Sequence, residues 1–196
     1  MPEVSETLGT AVMGAWQMDL RKLKTEEALR DAFLHLRASQ PLERITVREL
    51  CDRARVGKAT FYLHYHDVYD LSEHLQADLV QQVLASIPHP QLILTDTPAF
   101  TREFGTAIWA KKSLIDILFE GSQASVLPAA IERALLGELQ VLSPGLTLGE
   151  QAKVALTYQI YGAYYAYVRW SAAIPADKLI ELVGGLTEGL GPVEGQ

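Results

Sequence analysis

The chain has 196 residues, 48% hydrophobic and 21% charged, enough for one sizeable core or two small ones. Its single cysteine, Cys51, excludes an intramolecular disulfide and suits a reducing compartment. The net charge of −7 is unevenly spread: residues 19–70 carry ten Lys/Arg against nine Asp/Glu, residues 71–196 seven against thirteen. Binding to a polyanion depends on local charge, so the acidic total does not exclude it for the first third of the chain.

Residues 1–19 read as a flexible N-terminal tail. Glu3 and Glu6 precede the mildly apolar Leu8–Trp16, where a secretory signal would be basic, so the expectation is a soluble cytoplasmic protein. Thr46 followed by Glu49 forms a capping box, which opens a helix. Val47, Leu50, Cys51 and Ala54 give that helix one apolar face, with Arg48, Asp52 and Arg53 outward. After Arg55-Val56 a second short helix begins at Gly57, with Phe61 and Tyr65 as its buried stripe and Lys58, Ala59, Thr60, Tyr62, Leu63 and His64 outside. Asp67 with Asp70 marks the start of a third. Two short helices joined by a tight turn, the second with a small and polar outer face, predict a helix-turn-helix. Lys58, Thr60, Tyr62 and His64 bear groups that bind phosphate, and Ala59 lets backbone approach base edges. An ordinary helical hairpin with solvated polar residues is the alternative on pattern alone.

The periodicity stays helical downstream. Leu71, Leu75, Leu79 and Val83 line a long helix that Pro88-His89-Pro90 ends. A polar stretch to Pro98 reads as a joint. Helices follow near 99–111, 113–120 and 126–142, then from Thr147 to about Ala173, and a last one has Pro175 in its first turn. The expectation is an all-α protein of about nine helices, divided into a tail (1–19), a helix-turn-helix domain (20–70) and a C-terminal helical bundle (71–196). No run is long enough to span a membrane; the longest covers residues 158–168.

The segment from Thr46 resembles the DNA-binding domain of TetR-type transcriptional regulators, whose pattern has the form T-V-x-x-[LI]-x-x-x-A-x-V-x-[KR]-[GA]-T-[FL]-Y-x-[HY]-[FY]. Thr46, Val47, Leu50, Ala54, Val56, Lys58, Ala59, Thr60, Phe61, Tyr62, His64 and Tyr65 match it. Upstream, residues 19–25 with Ala28, Leu29, Ala32 and Phe33 are similar to the family's first helix. The resemblance covers residues 20–75 closely. It implies that Lys58 and Ala59 lie at base edges and that Thr46, Thr60, Tyr62 and His64 hold phosphates. Gly57 would stand at the cap of the reading helix, and Arg48 is a further contact by charge and exposure. Arg21 and Lys24, ahead of a cap at Thr25, are either a basic arm or a solvated cluster. The chain departs from the family at Arg55, where Gly is usual, at Gly57, where Ser or Thr is usual, and at Val68, where Lys is frequent; the last removes one backbone charge contact.

In the C-terminal half the resemblance is looser, resting on Tyr161-Gly162 and Arg169-Trp170. It implies a homodimer in which the last two helices pair with their twins, placing two heads on a palindromic double-stranded operator. Tyr158, Tyr161 and Tyr165 share one face; they line either a small-molecule effector pocket, with Trp109 and Phe119 as further candidates, or a core or interface. No nucleophile elbow, P-loop, Rossmann pattern or paired-Cys metal site is present, and the residues indicate no cofactor, no metal site and no enzyme. Asp70 and His74 are one pair of potential ligands without a third nearby. Three readings follow: a ligand-responsive repressor, a protein-interaction module of the same fold without operator binding, and a helical small-molecule carrier or enzyme.

Overall fold

A computed structural model describes the backbone of residues 3–189 and the side chains of residues 20–189. It is all α. Among the described residues there are ten α-helices, two 3-10 turns and no strand. The chain divides into two compact units, through Leu75 and from Gln76, so the division falls within one helix.

In the first unit, α1 (Glu3–Arg37) buries Leu29, Ala32, Phe33 and Leu36, the i, i+3, i+4, i+7 stripe of an amphipathic helix. The residues expected as a tail are helical in backbone from Glu3; their side chains lie outside the described residues. Thr25 is therefore interior rather than a cap. Its hydroxyl donates to the Arg21 carbonyl at 2.9 Å, the back-bond a helical Thr makes when the preceding turn exists. After a 3-10 turn at Leu42–Arg44, α2 (Val47–Ala54) begins at Thr46, whose hydroxyl accepts from the Glu49 amide at 3.2 Å. The return arm of the capping box is redirected, since the Glu49 carboxylate accepts from Gln40 Nε2 at 3.0 Å. Leu50 and Cys51 are buried, and α2 packs on both α1 and the next helix, α3 (Lys58–His64). Burial pushes the Cys51 thiol up, with Lys58 opposing and Asp52 reinforcing. The next helix, α4 (Val68–Ala85), opens on Asp67, which accepts from the Asp70 amide at 2.8 Å, while Asp70 accepts from the His66 amide.

The second unit holds the rest of α4 with α5 (Leu92–Thr95), α6 (Thr97–Ala110), α7 (Lys112–Leu118), α8 (Val126–Leu142), α9 (Glu150–Trp170) and α10 (Ala176–Leu186). The expected joint before Pro98 contains α5, a single turn anchored by buried Ile93, which brings the helix number above nine. Asp96 caps α6 by accepting from the Ala99 amide, and Pro98 sits in the first turn, where no amide donor is needed. The long helix expected from Thr147 starts at Glu150 behind Gly149, and Pro175 stands just outside α10 rather than in it. Helix α10 packs on α6, where Arg102 crosses Gly184 to reach Glu181 at 2.9 Å and Glu188 at 3.3 Å. Among the described residues no single helix is long and apolar enough to cross a membrane.

Candidate nucleic-acid interface and ligand cavity

The two short helices α2 and α3 are joined by Arg55, Val56 and Gly57. Arg55 closes α2 in the left-handed region, at φ 56° and ψ 38°, and is the one described non-glycine residue with positive φ. A side chain there costs about 1 kcal/mol relative to glycine. Gly57 caps α3 with ordinary dihedrals and without a side-chain bond. A Cβ at Gly57 would meet only the Thr60 hydroxyl, at 3.8 Å, so packing does not demand glycine here.

Helix α3 is anchored by Phe61, which is fully buried. Lys58, Ala59, Tyr62 and Leu63 are exposed, and Thr60 is half-buried. The Tyr62 ring stands edge-on to Phe61 at 5.4 Å, which fixes its direction while leaving 59% of the residue exposed. Thr46 and Arg48 are exposed on α2, and Arg48 lies 3.8 Å from Asp52, so part of its charge is matched within the helix.

His64 is not on the outer face where it was expected. Its side chain is only 11% exposed, and Nδ1 lies 3.2 Å from Glu26 Oε1 on α1. The spacing explains this: His64 follows Phe61 by three positions, so both face the same side of the helix. Tyr65 continues that side, with its ring 5.8 Å from Phe61 and 5.5 Å from His74. Val68, which stands where the resembled pattern often has Lys, is buried. Leu63, to which the family pattern gives no role, is 84% exposed. Its signal was its place two positions from Phe61, about 200° round the helix. Asp70 and His74 do meet, Nδ1 to Oδ1 at 3.1 Å, and no group of three metal-ligating side chains forms among the described residues.

A separate cavity of about 90 Å³ lies in the second unit, among α6, α7, α8 and α9. Its walls are Phe104, Ile108, Trp109, Ile115, Leu127, Ile131 and Ile160, with Tyr164 and Tyr167; Lys112 and Asp116, paired at 2.6 Å, are also part of the lining. Of the five aromatic candidates only Trp109 lines it. Tyr158 and Tyr165 are 69% and 56% exposed, and Tyr161 and Phe119 stand outside the lining. The inward stripe of α9 runs Leu156, Ile160, Ala163, Tyr164, Tyr167, at helical spacing, and Tyr158 lies about 200° from Ile160. Tyr164 donates to the Ala124 carbonyl at 2.5 Å. The Tyr167 hydroxyl is buried without a partner against Gly105, and desolvation pushes its pKa up to about 12.

No protein-family model and no curated protein matches this sequence. Among solved structures the chain is similar to the fatty acid degradation regulator FadR from Bacillus halodurans, with a TM-score of 0.55 and 16% identity, over 88% of this chain and 97% of that one. At this identity the likeness is one of fold, and it places the chain's all-α architecture beside that of a helical regulator.

Proposed function

We propose that this chain is a sequence-specific DNA-binding transcriptional regulator of the TetR kind, a ligand-responsive repressor that acts as a homodimer on a palindromic operator. The observation that carries the reading is α3: a short helix pinned by buried Phe61, behind a three-residue turn from α2, presenting Lys58, Ala59 and Tyr62 to solvent. In this reading Lys58 and Ala59 face base edges, while Thr46, Thr60 and Tyr62 hold phosphates, with Arg48 beside them. His64 serves instead by bracing α3 through Glu26. The fold shared with a regulator supports the assignment.

An effector would enter the cavity of the second unit, whose volume of about 90 Å³ takes only a short hydrocarbon segment without expansion. Its nearly apolar walls suit a hydrocarbon segment, and the description of FadR as a fatty acid degradation regulator makes fatty acids the first compounds to try. Such a ligand would act by binding one arrangement of the dimer better than the other. Dimerisation would use the outer faces of α9 and α10, where Tyr158, Tyr165, Val168, Leu182 and Leu186 are exposed.

Selection from random duplex DNA at low salt, followed by gel shift, tests the reading. A specific retarded complex lost in Tyr62→Ala and weakened in Lys58→Ala supports it; no selected sequence sinks it. A second reading, the same fold acting on a protein or a small molecule without an operator, is favoured by buried Val68 where a phosphate-binding lysine is expected. Failure of the selection with retained ligand binding would favour that alternative.

A further inference from the structure

Leu63 is the most exposed large hydrophobic residue of the described chain, at 84%, and it stands on the helix proposed to read DNA. Together with Ala59 it lies two positions from fully buried Phe61, so these two are the residues directed most squarely away from the core. The polar candidates flank them: Lys58 and Tyr62 on one side, Thr60 on the other. A groove that accepts α3 therefore receives an apolar tip with a polar rim.

The chemistry of that tip is restrictive. Leucine and alanine side chains neither donate nor accept hydrogen bonds, so they cannot read the purine N7, O6 or N6 groups, nor the cytosine amine. Among the four bases of the major groove only thymine offers an apolar group, its C5-methyl. We propose that Leu63, with Ala59 one turn before it, selects for thymine methyl groups in the operator half-site, and that Leu63 is a specificity-determining residue; this rests on the DNA-binding reading above. Ala59 and Leu63 are about 6 Å apart along the axis.

The test uses the full chain and the sequences obtained by random selection. Each thymine of the half-site is replaced singly by deoxyuridine, which removes the methyl and keeps every hydrogen-bonding group. Binding is followed by fluorescence anisotropy for the wild type, Leu63→Ala and Leu63→Met. Wild type is expected to lose about four-fold in affinity per half-site at one thymine, the worth of one buried methyl-sized group. Leu63→Ala should bind thymine and uracil DNA alike at that position, with an unchanged salt dependence because the phosphate contacts remain. Leu63→Met, which keeps an apolar reach, should retain the discrimination. Equal affinity of the wild type for both DNAs at every position overturns the proposal, as does discrimination that persists unchanged in Leu63→Ala. Failure to select any DNA is a different result, because it removes the regulator reading itself.

Discussion

His64 Nδ1 and Glu26 Oε1 meet at 3.2 Å, linking the last turn of α3 to α1 inside the first unit. With His64 only 11% exposed and Glu26 35% exposed, the contact is sheltered enough to hold the angle at which α3 presents Lys58, Ala59, Tyr62 and Leu63. A double-mutant cycle of Glu26→Ala and His64→Ala, read by urea unfolding, should give a coupling of about 1 kcal/mol, the usual net value of a part-buried hydrogen bond. Glu26→Gln, which preserves an oxygen acceptor, should retain most of it. A coupling of zero would mean that the pair is bridged to solvent and does not orient the helix.

Arg55 separates stability from binding. Its left-handed backbone is strained with a side chain and relaxed with glycine. Arg55→Gly is expected to stabilise the first unit by about 1 kcal/mol, a rise of roughly 2–4 °C in melting temperature for a chain of this size. Arg55→Ala keeps the Cβ and should show no such gain. Because Arg55→Gly also removes a positive charge beside α3, affinity for a selected operator should fall while stability rises. Parallel calorimetry and gel shift would show whether the two move in opposite directions.

Several helix ends are legible from a local cap or breaker, although Thr25 is not one of them. Thr46, Asp67 with Asp70, Pro98, and the segment Ser143-Pro144-Gly145 all mark observed ends, because each satisfies or removes a terminal backbone group locally. The departures are cases where contacts distant in sequence decide. The turn of α5 persists because Ile93 is buried in the second unit, which no local pattern announces. Whether the tyrosines of α9 line a pocket or an outer surface is open in the sequence, because a helix apolar nearly all round has no unique stripe until its neighbours choose one. Polarity and the family resemblance both put His64 outside, whereas its spacing from Phe61 puts it inward.

The exposed apolar side chains of α9 and α10 predict self-association. Leu186 is 78% exposed and Val168 61%, and a Cβ on Gly162 of α9 would have nothing within 4 Å. Light scattering should find a dimer in the wild type and a monomer in Val168→Glu combined with Leu186→Glu. A monomer would contact one half-site at a time, so its affinity for a two-fold-symmetric site should drop far more than its affinity for a single half-site. A wild-type monomer at micromolar concentration would remove the palindrome from the proposed mechanism.

Tyr167 predicts a pH dependence confined to alkaline conditions. Burial raises its phenol from an ordinary value near 10 to about 12, and its hydroxyl, wedged against Gly105, has no partner. Below pH 10 the folded and unfolded chains both keep this proton, so the group adds no slope. Between pH 10 and about 12 the unfolded chain loses the proton while the folded chain retains it. The unfolded state then binds fewer protons, and stability falls as pH rises through this window. Urea unfolding of the wild type and Tyr167→Phe at a series of pH values isolates the contribution, since the rest of the chain is common to both proteins. The wild type should lose stability relative to Tyr167→Phe from pH 10 to 12. At pH 7 the variant should be at least as stable, because it no longer buries an unpaired hydroxyl. Gly105→Ala should cost about 1–3 kcal/mol by forcing the ring away. A difference between wild type and Tyr167→Phe that stays constant with pH would mean that the hydroxyl is reached by water, and with it the dry wall of the cavity would be lost.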